Sequence, residues 1–171
     1  MHNRTIRSHN SSVTLIDCLA SIFSLEAVLP SKEIYLISPF LSNSPLIRNR
    51  LGQYSDLFPM IEGKIIYLSD ILNTLSWKGS KIRIICDPNR VETKRFISQL
   101  NEVEIKKLNN NHEKGLMTSH IYLHGSMNFT FSGININGEN IRITSDRSEV
   151  NQALLAARTR WEEAEEICHN H

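Results

Sequence analysis

The chain has 171 residues, 40% hydrophobic and 22% charged, with 7 glycines and 5 prolines. That is the make-up of one soluble globular domain, long enough to bury a core without disulfide staples. A formal net charge of +1 excludes a general polyelectrolyte affinity for nucleic acid, so any backbone-binding surface must be a local patch.

In chain order, residues 1–12 are polar and predict a flexible N-terminus ahead of a domain over 13–171. Arg4 and Arg7 precede an apolar run, Val13 to Leu29, which Asp17 and Glu26 interrupt. With no small-residue cleavage site behind it, the run reads as a domain helix rather than a signal peptide or membrane span. Leu15, Ile16, Leu19, Ile22 and Phe23 share one side of it. A buried strand over Glu33 to Ser38 is closed by Pro39. Residues 39–60 predict a loop with a short helix around Leu46 to Leu51, and Lys64 to Leu68 a second strand. Ser69 is the expected cap of a helix ending at Gly79. Lys81 to Cys86 predicts a third strand, Val91 to Leu100 a helix, and Val103 to Leu108 a short strand. After an Asn109-Asn110-Asn111 turn come strands His112 to Met117 and Ile121 to Asn128, joined by Thr118-Ser119-His120. Ile141 to Thr144 is a further strand. Asp146-x-x-Glu149 signals the last helix, with Val150, Ala153, Leu154, Ala157, Trp161 and Ala164 as its inner stripe. The fold class is therefore α/β, a mixed and mostly parallel sheet flanked by helices on both faces, with a hairpin inserted.

The hairpin carries the chemistry. Side chains at i and i+2 of a strand share a face, so His112 and Lys114 point together, as do Ser126 and Asn128. A turn centred on Ser119 sets position 112 opposite 126. That register gathers an imidazole, an ammonium, a hydroxyl and a carboxamide, while Gly125 lets backbone approach a ligand. A fixed positive charge with neutral donors suits a phosphate diester. Neutral histidine is a competent nucleophile toward phosphorus, and Glu139 is the candidate carboxylate to orient the imidazole.

These residues fall as His112-Glu113-Lys114, Gly125-Ser126-Met127-Asn128 and Asn137-Gly138-Glu139. In that order the chain resembles the phospholipase D superfamily, over roughly residues 30 to 165. The resemblance implies a metal-independent, cofactor-free phosphodiesterase working through a phosphohistidine. His112, Lys114 and Glu139 would be catalytic, and Lys114, Gly125, Ser126 and Asn128 would bind phosphate. Family chemistry needs two histidines at one phosphorus and this chain has one His-x-Lys, which implies a homodimer with a shared site. One position departs: the family usually has Asp five residues after the lysine, and here Ser119 stands there. The stretch His112 to Asn140, with Tyr35 to Ser42, also looks like the DpdK family of phospholipase D-like proteins, from a bacterial cluster that places 7-deazaguanine derivatives in DNA and restricts DNA lacking them. That narrower resemblance implies a cytoplasmic DNA endonuclease in defence, with other proteins of a restriction system as partners.

Two further readings stay open. One is a catalytically silent phosphate- or DNA-binding subunit of a restriction complex. The other is a phosphodiesterase acting on a non-nucleic-acid substrate, although no basic amphipathic segment points to a membrane. The remaining motifs read blandly beside the sharp ones. His120 and His124 are surface histidines rather than metal ligands, and Trp161 is core rather than a stacking platform. Cys18, Cys86 and Cys168 are scattered thiols suited to a reducing compartment, with no zinc spacing. Lys78, Lys81, Arg83, Arg90, Lys94, Arg95, Lys106 and Lys107 are either a DNA-facing patch or ordinary surface charge.

Overall fold

The computed structural model describes residues 3–7 and 13–167. Expectations for residues 8–12 and Cys168 lie outside them. The strands are β1 (Asn3–Arg7), β2 (Glu33–Ile37), β3 (Pro45–Arg48), β4 (Ile65–Tyr67), β5 (Lys81–Ile85), β6 (Glu104–Lys107), β7 (Gly115–Met117), β8 (Tyr122–Gly125), β9 (Asn140–Thr144) and β10 (Glu165–Glu166). The helices are α1 (Val13–Val28), α2 (Leu68–Trp77), α3 (Val91–Ile97), α4 (Phe131–Asn135) and α5 (Arg147–Glu163).

Among the described residues, eight strands form one sheet in the order β1-β9-β8-β7-β2-β5-β6-β10. At its centre, β2 is an apolar run buried on both faces, as expected of a strand between two helical layers. Ile34 and Leu36 join one core with Leu15, Leu19 and Phe23 of α1 and Ile71 and Leu75 of α2. Tyr35 and Ile37 face the opposite way, onto Val150, Leu154 and Trp161 of α5. The inner stripe predicted for the last helix is buried throughout. Its first turn is capped as Asp146 predicts, the carboxylate accepting from Ser148 and Glu149 N–H at 3.1 and 3.0 Å.

The α/β class, the mixed sheet and the helices on both faces are as expected. The parallel share is smaller than predicted: β2 pairs parallel with β5, and β5 with β6, while the remaining neighbours run antiparallel. Two causes account for this. The predicted second strand leaves the main sheet, since β4 pairs with β3 in a separate two-stranded sheet. The N-terminus also adds an edge strand. Asn3–Arg7 pairs with Asn140–Thr144 along its whole length, and Ile6 is buried, so this part of the N-terminus is ordered structure.

The short helix expected around Leu46 to Leu51 is replaced by β3. The extended form pairs with β4 and buries both Leu46 and Ile47. Helix α2 begins one residue before Ser69, because the Asp70 carboxylate accepts from Tyr67 N–H at 2.9 Å. The Ser69 N–H goes instead to Asn43 Oδ1 at 3.0 Å. Helix α4 was not expected. The Thr130 hydroxyl caps it, accepting from Gly133 N–H at 3.0 Å. No helix among the described residues is long and apolar enough to cross a membrane.

Strand direction sets where a site can form. The parallel strands β2, β5 and β6 end at one edge of the sheet. Antiparallel β7 and β9 begin at that edge, and β8 ends there. Ligands of open α/β sheets bind outside the carboxyl ends of parallel strands. Here the loops converging on that edge carry the predicted site residues.

Candidate active site

A cavity of about 400 Å³ opens at this edge, lined by His112, Lys114 and Asn128. Each wall comes from a strand end: Pro39 and Phe40 follow β2, Cys86 and Asp87 follow β5, and Leu108 through Asn111 follow β6. The structure therefore brings three of the six predicted site residues into one pocket. It does so by a different local route from the one the sequence suggested. Strand β7 begins only at Gly115, and His112 and Lys114 sit in the segment entering it.

The hairpin register also differs by one residue. Gly115 lies opposite His124 and Leu116 opposite Leu123. Extended outward, the ladder sets Lys114 beside Gly125, whose N–H reaches Lys114 O at 3.4 Å, so His112 is not opposite Ser126. A one-residue slip turns side chains to the other face of a regular ladder. The site survives it because regular pairing ends before His112, and because Gly125 breaks the strand with φ of +149°.

Gly125 is required by two constraints at once. Its φ lies where side chains are strained, and a Cβ there would lie 2.2 Å from Asn140 O. That close approach lets Ser126 N–H donate to Asn140 O at 3.1 Å, while the Ser126 hydroxyl accepts from Asn140 N–H at 2.9 Å. The same hydroxyl donates to the Glu139 carboxylate. Ser126 and Glu139 therefore form a linked pair at the start of β9, and the structure reaches Glu139 through Ser126.

Asn128 is held from below. Fully buried Ser38 has its Oγ 3.4 Å from Asn128 Oδ1, donates to Phe40 O at 2.7 Å and accepts from Phe129 N–H at 3.1 Å. One hydroxyl thus ties the end of β2 to the Gly-Ser-x-Asn segment. The Lys114 ammonium donates to His112 O at 3.1 Å. On the pocket wall the Cys86 thiol is pushed up to about 12 by burial and by the neighbouring Asp87 charge, so it stays protonated and inert.

Motif reading missed Phe40, Asp87 and Asn111, which line the same cavity. The signal that finds them is topological rather than local, since each stands at the end of a strand or in the loop after it. The basic residues read as either a DNA-facing patch or ordinary surface charge divide between the two. Lys81 pairs with Glu104 at 3.0 Å, Arg83 with Glu104 at 3.1 Å, and Lys106 with Glu166 at 3.3 Å, whereas Arg90 and Lys107 lie at the site. His120 has Nε2 2.9 Å from Leu29 O, and His124 stacks on Tyr122 with ring centroids 4.5 Å apart. Trp161 is buried in the core beneath α5, under Arg83 and Lys106.

An ordered histidine, lysine and asparagine at the strand-end edge, with a Ser–Glu pair beside them, define a phospholipase D-like domain. Residues 59–161 match the family model described as cardiolipin synthase, PLD-like domain. That is more than half of the chain, which belongs to this family. No curated protein matches the chain. Among solved structures, NucT from Helicobacter pylori aligns with a TM-score of 0.65 at 15% identity, covering 96% of this chain and 98% of that one. Nuc, a phospholipase D family member from Salmonella typhimurium, aligns at 0.61 and 16% identity, covering 96% and 97%. Polyphosphate kinase from Porphyromonas gingivalis aligns at 0.62 and 12% identity, over 99% of this chain and 27% of that one. At these identities the likeness establishes the shared fold.

Proposed function

We propose that this chain is a metal-independent phosphodiesterase that cuts the DNA backbone in the cytoplasm. The observation that carries this reading is that His112, Lys114 and Asn128 open onto one cavity at the strand-end edge. In this reading His112 attacks phosphorus, an N–P bond forms and one P–O ester bond breaks. A second histidine, from another copy of the chain, protonates the departing oxygen. Water then cleaves the N–P bond, releasing the phosphate monoester and restoring the imidazole. Lys114 and the amide of Asn128 hold the non-bridging oxygens. Glu139, whose carboxylate accepts from the Ser126 hydroxyl, is in this reading the group that orients the imidazole.

Nuclease action is favoured by the structural likeness to NucT and Nuc. The DpdK-like stretch supports a role in restricting unmodified foreign DNA alongside other proteins of a restriction system. The test is cleavage of plasmid and single-stranded DNA in EDTA. Wild type should cut, and His112→Ala should lose at least about 1000-fold in rate while remaining folded. Cutting that needs a divalent metal, or that persists in the variant, would overturn the mechanism.

A further inference from the structure

Beside the phosphate pocket lies a second cavity of about 410 Å³, and Phe40 and Asn128 line both. The two differ in chemistry. The first holds two lysines, Lys107 and Lys114, and His112 against one carboxylate, Asp87, an excess of positive charge that suits an anion. The second sets Arg90 against Glu92 and adds Asn137 and the ring of Phe131, so its charge is balanced and its polar groups both donate and accept. Phe131 is 47% exposed, and its backbone is anchored where the N–H donates to Ser42 Oγ at 2.7 Å. The Arg90 guanidinium lies 3.6 Å from the centroid of the Phe40 ring, which gives the partition between the cavities a flat, cationic face. A backbone phosphate next to an aromatic surface and a neutral polar cleft is the arrangement that takes a nucleotide with its base unpaired.

We propose that this second cavity is a base-binding subsite. Phe131 provides the stacking surface for an unpaired nucleobase, and Arg90, Glu92 and Asn137 meet its edge, while the adjoining phosphate occupies the His112 and Lys114 pocket. The proposal rests on the phosphodiesterase reading for the second half of that statement, and it names the substrate as a strand with unstacked bases. Stacking is tolerant of sequence because every base has a π-face, so the ring selects unpaired strands, and any preference among bases comes from the polar groups at the base edge.

The experiment is equilibrium binding by fluorescence anisotropy, in EDTA. The probes are an oligothymidylate and a strand of the same length and charge built from abasic sugar-phosphate units. Wild type should bind oligothymidylate about tenfold more tightly. Phe131→Ala should lose that preference while keeping its affinity for the abasic strand, and Phe131→Trp should retain it. Equal binding of the two strands by wild type would overturn the subsite. So would equal weakening of both strands by Phe131→Ala, or a change in its oligomeric state, which would assign the ring to a contact between copies. Cleavage of the same strands is scored separately. A protein that shows the base preference and cuts neither strand would refute the phosphodiesterase reading and leave the base subsite standing.

Discussion

At the scale of single residues, the site depends on positions that carry no reactive group. Gly125 is the clearest. Its backbone lies at φ +149°, and a Cβ would lie 2.2 Å from Asn140 O, backbone that cannot swing aside. Gly125→Ala should destabilise the fold by roughly 2–4 kcal/mol. It should also part Ser126 from Asn140 and Glu139, so activity falls further than stability at a temperature where the variant is still folded. Denaturant titration beside a rate measurement checks both, and a variant of normal stability would show that the segment can relax. Ser119, which stands where the family usually has Asp, makes the complementary point. Its backbone N–H donates to Ser31 Oγ at 2.9 Å, and Ser31 N–H donates at 3.0 Å to the carboxylate of fully buried Glu26. The hairpin turn is thus tied down by groups from α1 and the loop after it, and needs no carboxylate of its own.

At the scale of elements, Glu33 shows how α5 is fixed to the sheet. From the start of β2 it accepts from Arg158 Nε of α5 at 2.8 Å and faces Arg83 of β5 at 3.8 Å. Burial alone would raise its carboxyl, but hydrogen bonds from Arg158 and Tyr35 and the two arginine charges outweigh that and hold it below the ordinary carboxylate range. A lowered folded pKa stabilises the native state above the unfolded value, and this stabilisation is lost as pH falls through the folded value. The difference in melting temperature between wild type and Glu33→Gln should therefore be largest near neutral pH and shrink in acid. A difference independent of pH would show that the carboxylate's charge does no stabilising. The elements most legible in the sequence are those whose own pattern decides them. The α1 and α5 stripes, the Asp146 cap and the apolar β2 all stand as read. Those it concealed are settled by distant partners: β1 by pairing with β9, β3 by pairing with β4, and the hairpin register by Gly125. The motif residues His112, Lys114 and Asn128 were legible because their spacing is chemical. Phe40, Asp87 and Asn111 were not, because only the sheet's topology brings them to the same edge.

At the scale of the whole molecule, one copy supplies one imidazole at the pocket. In-line displacement at phosphorus needs a nucleophile on one side and an acid at the leaving oxygen on the other. In the proposed mechanism the second imidazole is that of another copy placed across a two-fold axis, the commonest symmetry of small assemblies. Such a site has a property that a self-sufficient monomer lacks. If both imidazoles are needed, a mixed dimer of wild type and His112→Ala is dead. In an equal mixture allowed to exchange subunits, about half of the wild-type chains are drawn into mixed dimers, so activity per wild-type chain should fall to about half. Mixing without exchange should leave it unchanged, and dilution below the dimer dissociation constant should lower specific activity in wild type alone. Undiminished activity after verified exchange would mean that one copy suffices, and the acid would then have to come from a group of the same chain at the pocket, with Asp87 the first to substitute.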